Sequence, residues 1–188
     1  MTLRLVDAVA GYAHAVSPPA TLAVARGEVV GLAGPNGIGK STLLKAVLGE
    51  ARLFSGRIEQ APGTRISYLP QQPVRLHEVP LSGAEVLAAL GVAGLAPPPG
   101  LANRLGVRID RLSGGEYQLL MLWATWVDAV ELILLDEPTN NLDGRHLELA
   151  AEGLAAARAS RAMLIVSHDR RFLEAVCTRI VDLGPRHG

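Results

Sequence analysis

Residues 34–42 read GPNGIGKST. Gly34, Gly37 and Gly39 stand with Pro35, Asn36 and Ile38 ahead of Lys40, Ser41 and Thr42, in the pattern G-x-x-x-x-G-K-[ST]. Glycine permits positive φ and close backbone approach, so successive N–H groups of such a loop can face one anion. A helix that follows adds the partial positive charge of its N-terminus. The expected ligand is a chain of phosphates, with Lys40 reaching the β- and γ-phosphates and the Ser41 hydroxyl holding Mg²⁺. A second chemical pair, Asp136 and Glu137, ends the apolar run LILLDE. At the carboxyl end of a parallel strand both acids face the ligand crevice. Asp136 suits the outer coordination of Mg²⁺, and Glu137 suits acceptance of a hydrogen bond from an attacking water.

These groups need elements to hold them. Residues 3–6 read as a strand, and 21–34 as two strands around an Arg26-Gly27 turn. Residues 40–49 carry helical apolar spacing with a stop at Gly49. GRIEQ and RISYLP read as further strands, and ELILLDEP (131–138) as a strand buried on both faces of a parallel sheet. LSGGEYQLLMLWATWV (112–127) opens a helix capped by Ser113. A helix over 145–159, a strand over 162–167, a short helix and a strand over 179–183 follow. Residues 73–111 form a separate zone rich in proline and alanine, with one helix in SGAEVLAALG. Alternating strands and helices imply an α/β core.

The 188 residues suit one domain, with or without a small insertion. Eighteen basic and eighteen acidic residues balance, which argues against a dedicated nucleic-acid surface. Cys177 is the single cysteine, so no internal disulfide is available and a reducing compartment is expected. The N-terminus lacks the apolar segment of a secretory signal. The most apolar stretch, VLAALGVAGLA, is too short to span a bilayer. A soluble chain, or one held at a membrane by a partner, is expected.

With LSGGE at 112–116 the chain resembles the ATP-binding-cassette (ABC) ATPases. The resemblance covers essentially the whole length and rests on six motifs in order: GPNGIGKST, YLPQ, LSGGE, LILLDEPT, NNLD and SHD. It implies an α/β P-loop NTPase of the ABC type. The mixed, largely parallel sheet core would take residues 1–72 and 112–188. An N-terminal antiparallel strand region and a small helical subdomain inserted at about 73–111 would complete one domain. It implies ATP with Mg²⁺ as ligands. Ser113, Gly114, Gly115 and Glu116 resemble the signature that binds the γ-phosphate of ATP held by a second copy, in a head-to-tail, ATP-dependent dimer. Gln71 resembles the glutamine that touches Mg²⁺ and the attacking water, with Gln72 an adjacent rival. His168 resembles the histidine that contacts the γ-phosphate, Asp143 the loop acid that communicates across the dimer, and Tyr12 the aromatic that stacks on adenine. One departure stands out: Leu119 replaces the usual arginine, with Trp123 and Trp126 late in the same helix. Either a more hydrophobic core contact or an unusual partner-facing surface would explain it.

The resemblance also implies a load. A nucleotide-binding subunit of a membrane transporter is favoured, most similar to the ATPases of zinc and manganese importers. A separate transmembrane permease would dock on the zone after Gln71 and hold this chain on the cytoplasmic face of the membrane. The metal would be cargo of partner proteins, since His14, His77, His146 and His187 lack ligand spacing. The alternative is a soluble ABC-F type factor on the ribosome, which TNNLD and VSHDRRFLEAV resemble, or a cytosolic assembly ATPase. The former usually carries two cassettes and a charged linker.

Overall fold

The computed structural model describes residues 1–75, 79–92, 97–127, 129–157 and 161–184. His77, His187 and the last residues of the helix expected over 145–159 lie outside them. Two sheets form. The first is antiparallel, order β2-β1-β4, from β1 (Leu3–Gly11), β2 (Ala20–Val24) and β4 (Arg52–Gln60). The second is parallel, order β5-β6-β7-β3-β8, from β3 (Val29–Ala33), β5 (Ile66–Leu69), β6 (Leu132–Asp136), β7 (Ala162–Val166) and β8 (Arg179–Asp182).

The parallel strands are apolar runs because both faces are covered. In β6, Ile133 and Leu135 enter one apolar layer and Leu132 and Leu134 the other. In β7, Met163 and Ile165 divide from Ala162, Leu164 and Val166 in the same way. The layer on one face is closed by α4 (Gly114–Ala124), α5 (Gly144–Ala157) and α6 (Arg170–Val176). The other is closed by α1 (Lys40–Val47) and the antiparallel sheet. The layer around α4 continues into the zone after β5 through Leu87 of α2 (Gly83–Ala89), Leu101 of α3 (Pro99–Ala102) and Ile109 of a single 3₁₀ turn.

Helix α4 is shorter than its sequence pattern suggests. Thr125 caps it, its hydroxyl donating to the Leu122 carbonyl at 2.7 Å, so Trp126 lies past the helix end. Leu119, Trp123 and Trp126 are all buried. The two indoles stack with centroids 5.2 Å apart, and a Cβ on Gly153 of α5 would lie 2.4 Å from the Trp123 ring. The departure at Leu119–Trp126 is therefore buried in the core, with Trp123 packed against α5. No described helix is long and apolar enough to cross a membrane.

Candidate functional site

Strands β6, β7 and β3 are neighbours, so the loops at their carboxyl ends open side by side. The loop after β3 is the glycine loop. Gly39, at φ 98°, precedes α1 with no side-chain cap, and a Cβ there would lie 2.7 Å from the Ser17 backbone. Gly34 is likewise confined, its would-be Cβ 2.8 Å from the Leu183 carbonyl. Only glycine meets both the dihedral and the space at these positions. Ile38 anchors the loop on the apolar layer beneath it.

Lys40 is buried, with Nζ donating to the carbonyls of Gly34 at 2.8 Å and Pro35 at 3.0 Å. An ammonium has three donors, so one remains for a ligand. Asn36, Gly37, Gly39, Lys40, Ser41 and Thr42 line one side of a groove of about 420 Å³, and Gln71, Glu137, His168 and Val16 complete it. Gln72 instead lines a neighbouring cavity of about 400 Å³, which Gln71, Ser41 and Asp136 also border.

Asp136 lies behind Ser41. The Ser41 hydroxyl donates to its Oδ1 at 2.7 Å and the Tyr68 hydroxyl to its Oδ2 at 3.2 Å. Burial raises the Asp136 carboxyl above the ordinary aspartate value, more than these two donors lower it. Burial and the same carboxylate push the Tyr68 hydroxyl up as well, so it stays a donor. Ser41, Asp136 and Gln71 supply hard oxygen donors, the chemistry a magnesium ion selects. A buried carboxylate bonded to two neutral hydroxyls also fits a cation there.

Glu137 follows in the left-handed region, at φ 50°. A non-glycine residue persists there only when its surroundings hold it. Here its N–H donates to the Val166 carbonyl at 2.8 Å, and its Oε2 accepts from the His168 N–H at 3.2 Å. His168 Nδ1 lies 2.8 Å from the same oxygen. Glu137 is buried, while the His168 side chain is 55% exposed. The pair thus faces the groove with the carboxylate fixed and the ring at the rim.

The remaining expected residues stand elsewhere. Ser113 caps α4 in a reciprocal box: its Oγ accepts from the Glu116 N–H at 3.2 Å and Glu116 Oε2 accepts from the Ser113 N–H at 2.8 Å. Arg104 grips Glu116 at 2.6 Å. Gly115 has no room for a side chain, because a Cβ would meet the His146 ring at 3.1 Å and the Asn141 carbonyl at 3.2 Å. Asp143 accepts from the His146 N–H at 2.9 Å at the start of α5. Neither Asp143 nor any of Ser113–Glu116 lines the groove. Tyr12 is exposed just past β1 and does not line it either; the apolar residue on its wall is Val16. Sequence reasoning missed Val16, which no pattern marks, and the Tyr68 contact, although Tyr68 lies three residues before Gln71 in YLPQ.

Residues 18–140 match the family described as ABC transporter. The zinc import ATP-binding protein ZnuC of Paracoccus denitrificans (strain Pd 1222) is 38% identical over 168 residues, 84% of this chain and 65% of the relative. The ZnuC of Cereibacter sphaeroides is 36% identical over 177 residues, 89% of this chain and 72% of the relative. The chain thus spans about two thirds of the length of these curated relatives. A solved structure described as the ATP binding subunit of an ABC transporter superposes with TM-score 0.79 at 28% identity, over 97% of this chain and 86% of the other. An inward-facing metal-chelate type ABC transporter superposes at 0.76 and 23% identity, over 97% of this chain and 80% of that one, a likeness of fold.

Proposed function

Because the chain belongs to the ABC transporter family, we propose that it is the Mg²⁺-dependent ATPase subunit of a transporter, of the metal-importing kind. The observation that carries the mechanism is the separation of two half-sites. The groove holds the glycine loop, Gln71, Glu137 and His168, while the Ser113 turn stands apart from it on the same chain. Closing one on the other takes a second copy, placed head-to-tail.

ATP would seat its phosphates on the N–H groups of the glycine loop and of the first turn of α1, with the free donor of Lys40 on the outer phosphates. Ser41 and Gln71 would hold Mg²⁺, with Asp136 behind Ser41. The ion would neutralise charge on the β- and γ-oxygens. Glu137 accepts both of its side-chain bonds on Oε2, leaving Oε1 to accept from the water that attacks the γ-phosphorus in line. His168 Nδ1 is engaged with Glu137 Oε2 at 2.8 Å, so Nε2 is the ring nitrogen that would face the γ-phosphate. The amides and hydroxyl of the second copy's Ser113 turn would complete the γ-phosphate cage, with Asp143 beside the dimer seam. Tyr12 or Val16 would bear on the base. Hydrolysis removes the bridging phosphate and the dimer opens.

The load would be a separate membrane permease, seated on the zone after Gln71, where an apolar groove of about 400 Å³ lies between Pro73, Val74, Leu90 and Met121. That seat would hold the chain at the cytoplasmic face. The two relatives named above are zinc import ATP-binding proteins, which does not favour the ribosome-associated alternative.

Glu137→Gln tests the mechanism. Phosphate release should fall by about a thousandfold, with nucleotide affinity retained and an ATP-dependent dimer accumulating. Turnover at the parental rate would remove Glu137 from its role.

A further inference from the structure

We propose that Arg75 and Tyr117 form a clamp by which the segment after Gln71 positions the Ser113 turn, an inference that rests on the function proposed above. Arg75 donates from Nη2 to the carbonyl of Leu112, the residue before the helix cap. Its guanidinium carbon lies 5.4 Å from the centre of the Tyr117 ring. Tyr117 answers in the other direction, its hydroxyl donating to the Val74 carbonyl at 2.8 Å. Two consecutive residues are thus bonded to positions 112 and 117, which bracket Ser113, Gly114, Gly115 and Glu116 on both sides.

The chemistry of the two contacts is selective. The guanidinium donates to a carbonyl from its edge while its planar face lies over an aromatic ring, a stacking face that an ammonium lacks. Tyr117 is buried, so its hydroxyl needs the acceptor that Val74 supplies. Val74, by contrast, is 77% exposed, and Val74 and Tyr117 both line the apolar groove beside Pro73. Whatever occupies that groove therefore bears on the clamp. The four residues held by it supply the amides and hydroxyl assigned above to the γ-phosphate of a second copy. Arg75 and Tyr117 are positioning residues; neither lines the groove that receives nucleotide.

The test uses the full chain in the Glu137→Gln background. Arg75→Met keeps the stem and removes the donor and the charge; Tyr117→Phe keeps the ring and removes the hydroxyl. Hydrogen exchange is read at the amides of 113–117, and ATP-driven dimerisation by sedimentation, with nucleotide affinity measured at dilutions where the protein is monomeric. In Arg75→Met the exchange of those amides should rise about tenfold and the dimer weaken about tenfold. Monomer nucleotide affinity should not change. Arg75→Lys should recover part of both losses, since its ammonium still donates to Leu112 but lacks the planar face. Tyr117→Phe should give a smaller shift in the same direction. Parental exchange and parental dimer strength in Arg75→Met would overturn the clamp. A Glu137→Gln parent that stays monomeric with ATP would overturn the proposed function instead, and the exchange rates would still decide whether Arg75 holds the turn.

Discussion

The N-termini of α1 and α4 are both assigned to phosphate, yet they are finished in opposite ways. At α1 the cap is Gly39, no side chain caps the first N–H groups, and the Lys40 ammonium opens the first turn. At α4 Ser113 and Glu116 satisfy each other, and a carboxylate sits in the first turn, where an anion would bind. Arg104 offsets that carboxylate at 2.6 Å. One end is an open anion site with its own cation. The other is capped and nearly neutral, and has little to hold phosphate with alone. On the proposed function, the difference gives the two ends an order: the glycine loop would bind nucleotide first, and the Ser113 turn would add to a phosphate already held.

Substitutions at the two ends should therefore fail differently. Lys40→Ala should weaken nucleotide binding by the monomer about a hundredfold, read with a fluorescent nucleotide, because it removes the charge from the open end. Ser113→Arg should leave monomer affinity near the parental value and abolish ATP-driven dimerisation, since its long cation fills the approach. The lost cap itself costs only about 1 kcal/mol. Equal loss of monomer affinity in the two variants would erase the distinction.

A smaller effect separates the ends by pH. Burial raises the folded-state carboxyl of Asp136 above its unfolded value, so its contribution to stability is full in acid and is lost as pH rises through the folded value. Asp136→Asn should then melt higher than the parent at neutral pH, with the gain shrinking as the parental carboxyl protonates. Glu116 is the reverse. Burial opposes its charge, but the Ser113 N–H, Arg104 and the Ser113 hydroxyl together outweigh it and lower the carboxyl. Its contribution is present above the unfolded value and is lost as pH falls through the folded one. Glu116→Gln should melt lower than the parent at neutral pH, with the deficit shrinking in acid. Thermal melts from neutral pH downward read both signs, and parallel trends would contradict the contrast.

Much of this was legible in the sequence wherever one constraint dominates. The run LILLDE, too short for a helix and ending in two acids, suits a strand covered on both faces, and the glycine pattern marks the loop before α1. The parts that were not legible depend on distant backbone. β4 begins at Arg52, ahead of the GRIEQ that suggests a strand, because Arg52, Leu53 and Ser55 pair with Gly11, Ala10 and Val9 of β1. β1 itself continues to Gly11 through an irregularity in its pairing, with Asp7 at φ 46°. α3 has four residues and no periodicity to show. The left-handed backbone of Glu137 and its bond to His168 arise from the adjacency of β6 and β7, which no local pattern encodes. The polar half of the site was visible as residue types; its partners Tyr68, Arg104 and Arg75 were visible only as neighbours in space.

The central claim is that each ATP is enclosed by the glycine loop of one copy and the Ser113 turn of another. Mixing Lys40→Ala protein with Ser113→Arg protein tests it most directly, because a mixed pair retains one site with both halves intact. Each variant alone should be inactive, and the mixture should hydrolyse ATP. A mixture as inactive as its components, with both variants folded, would contradict the shared site.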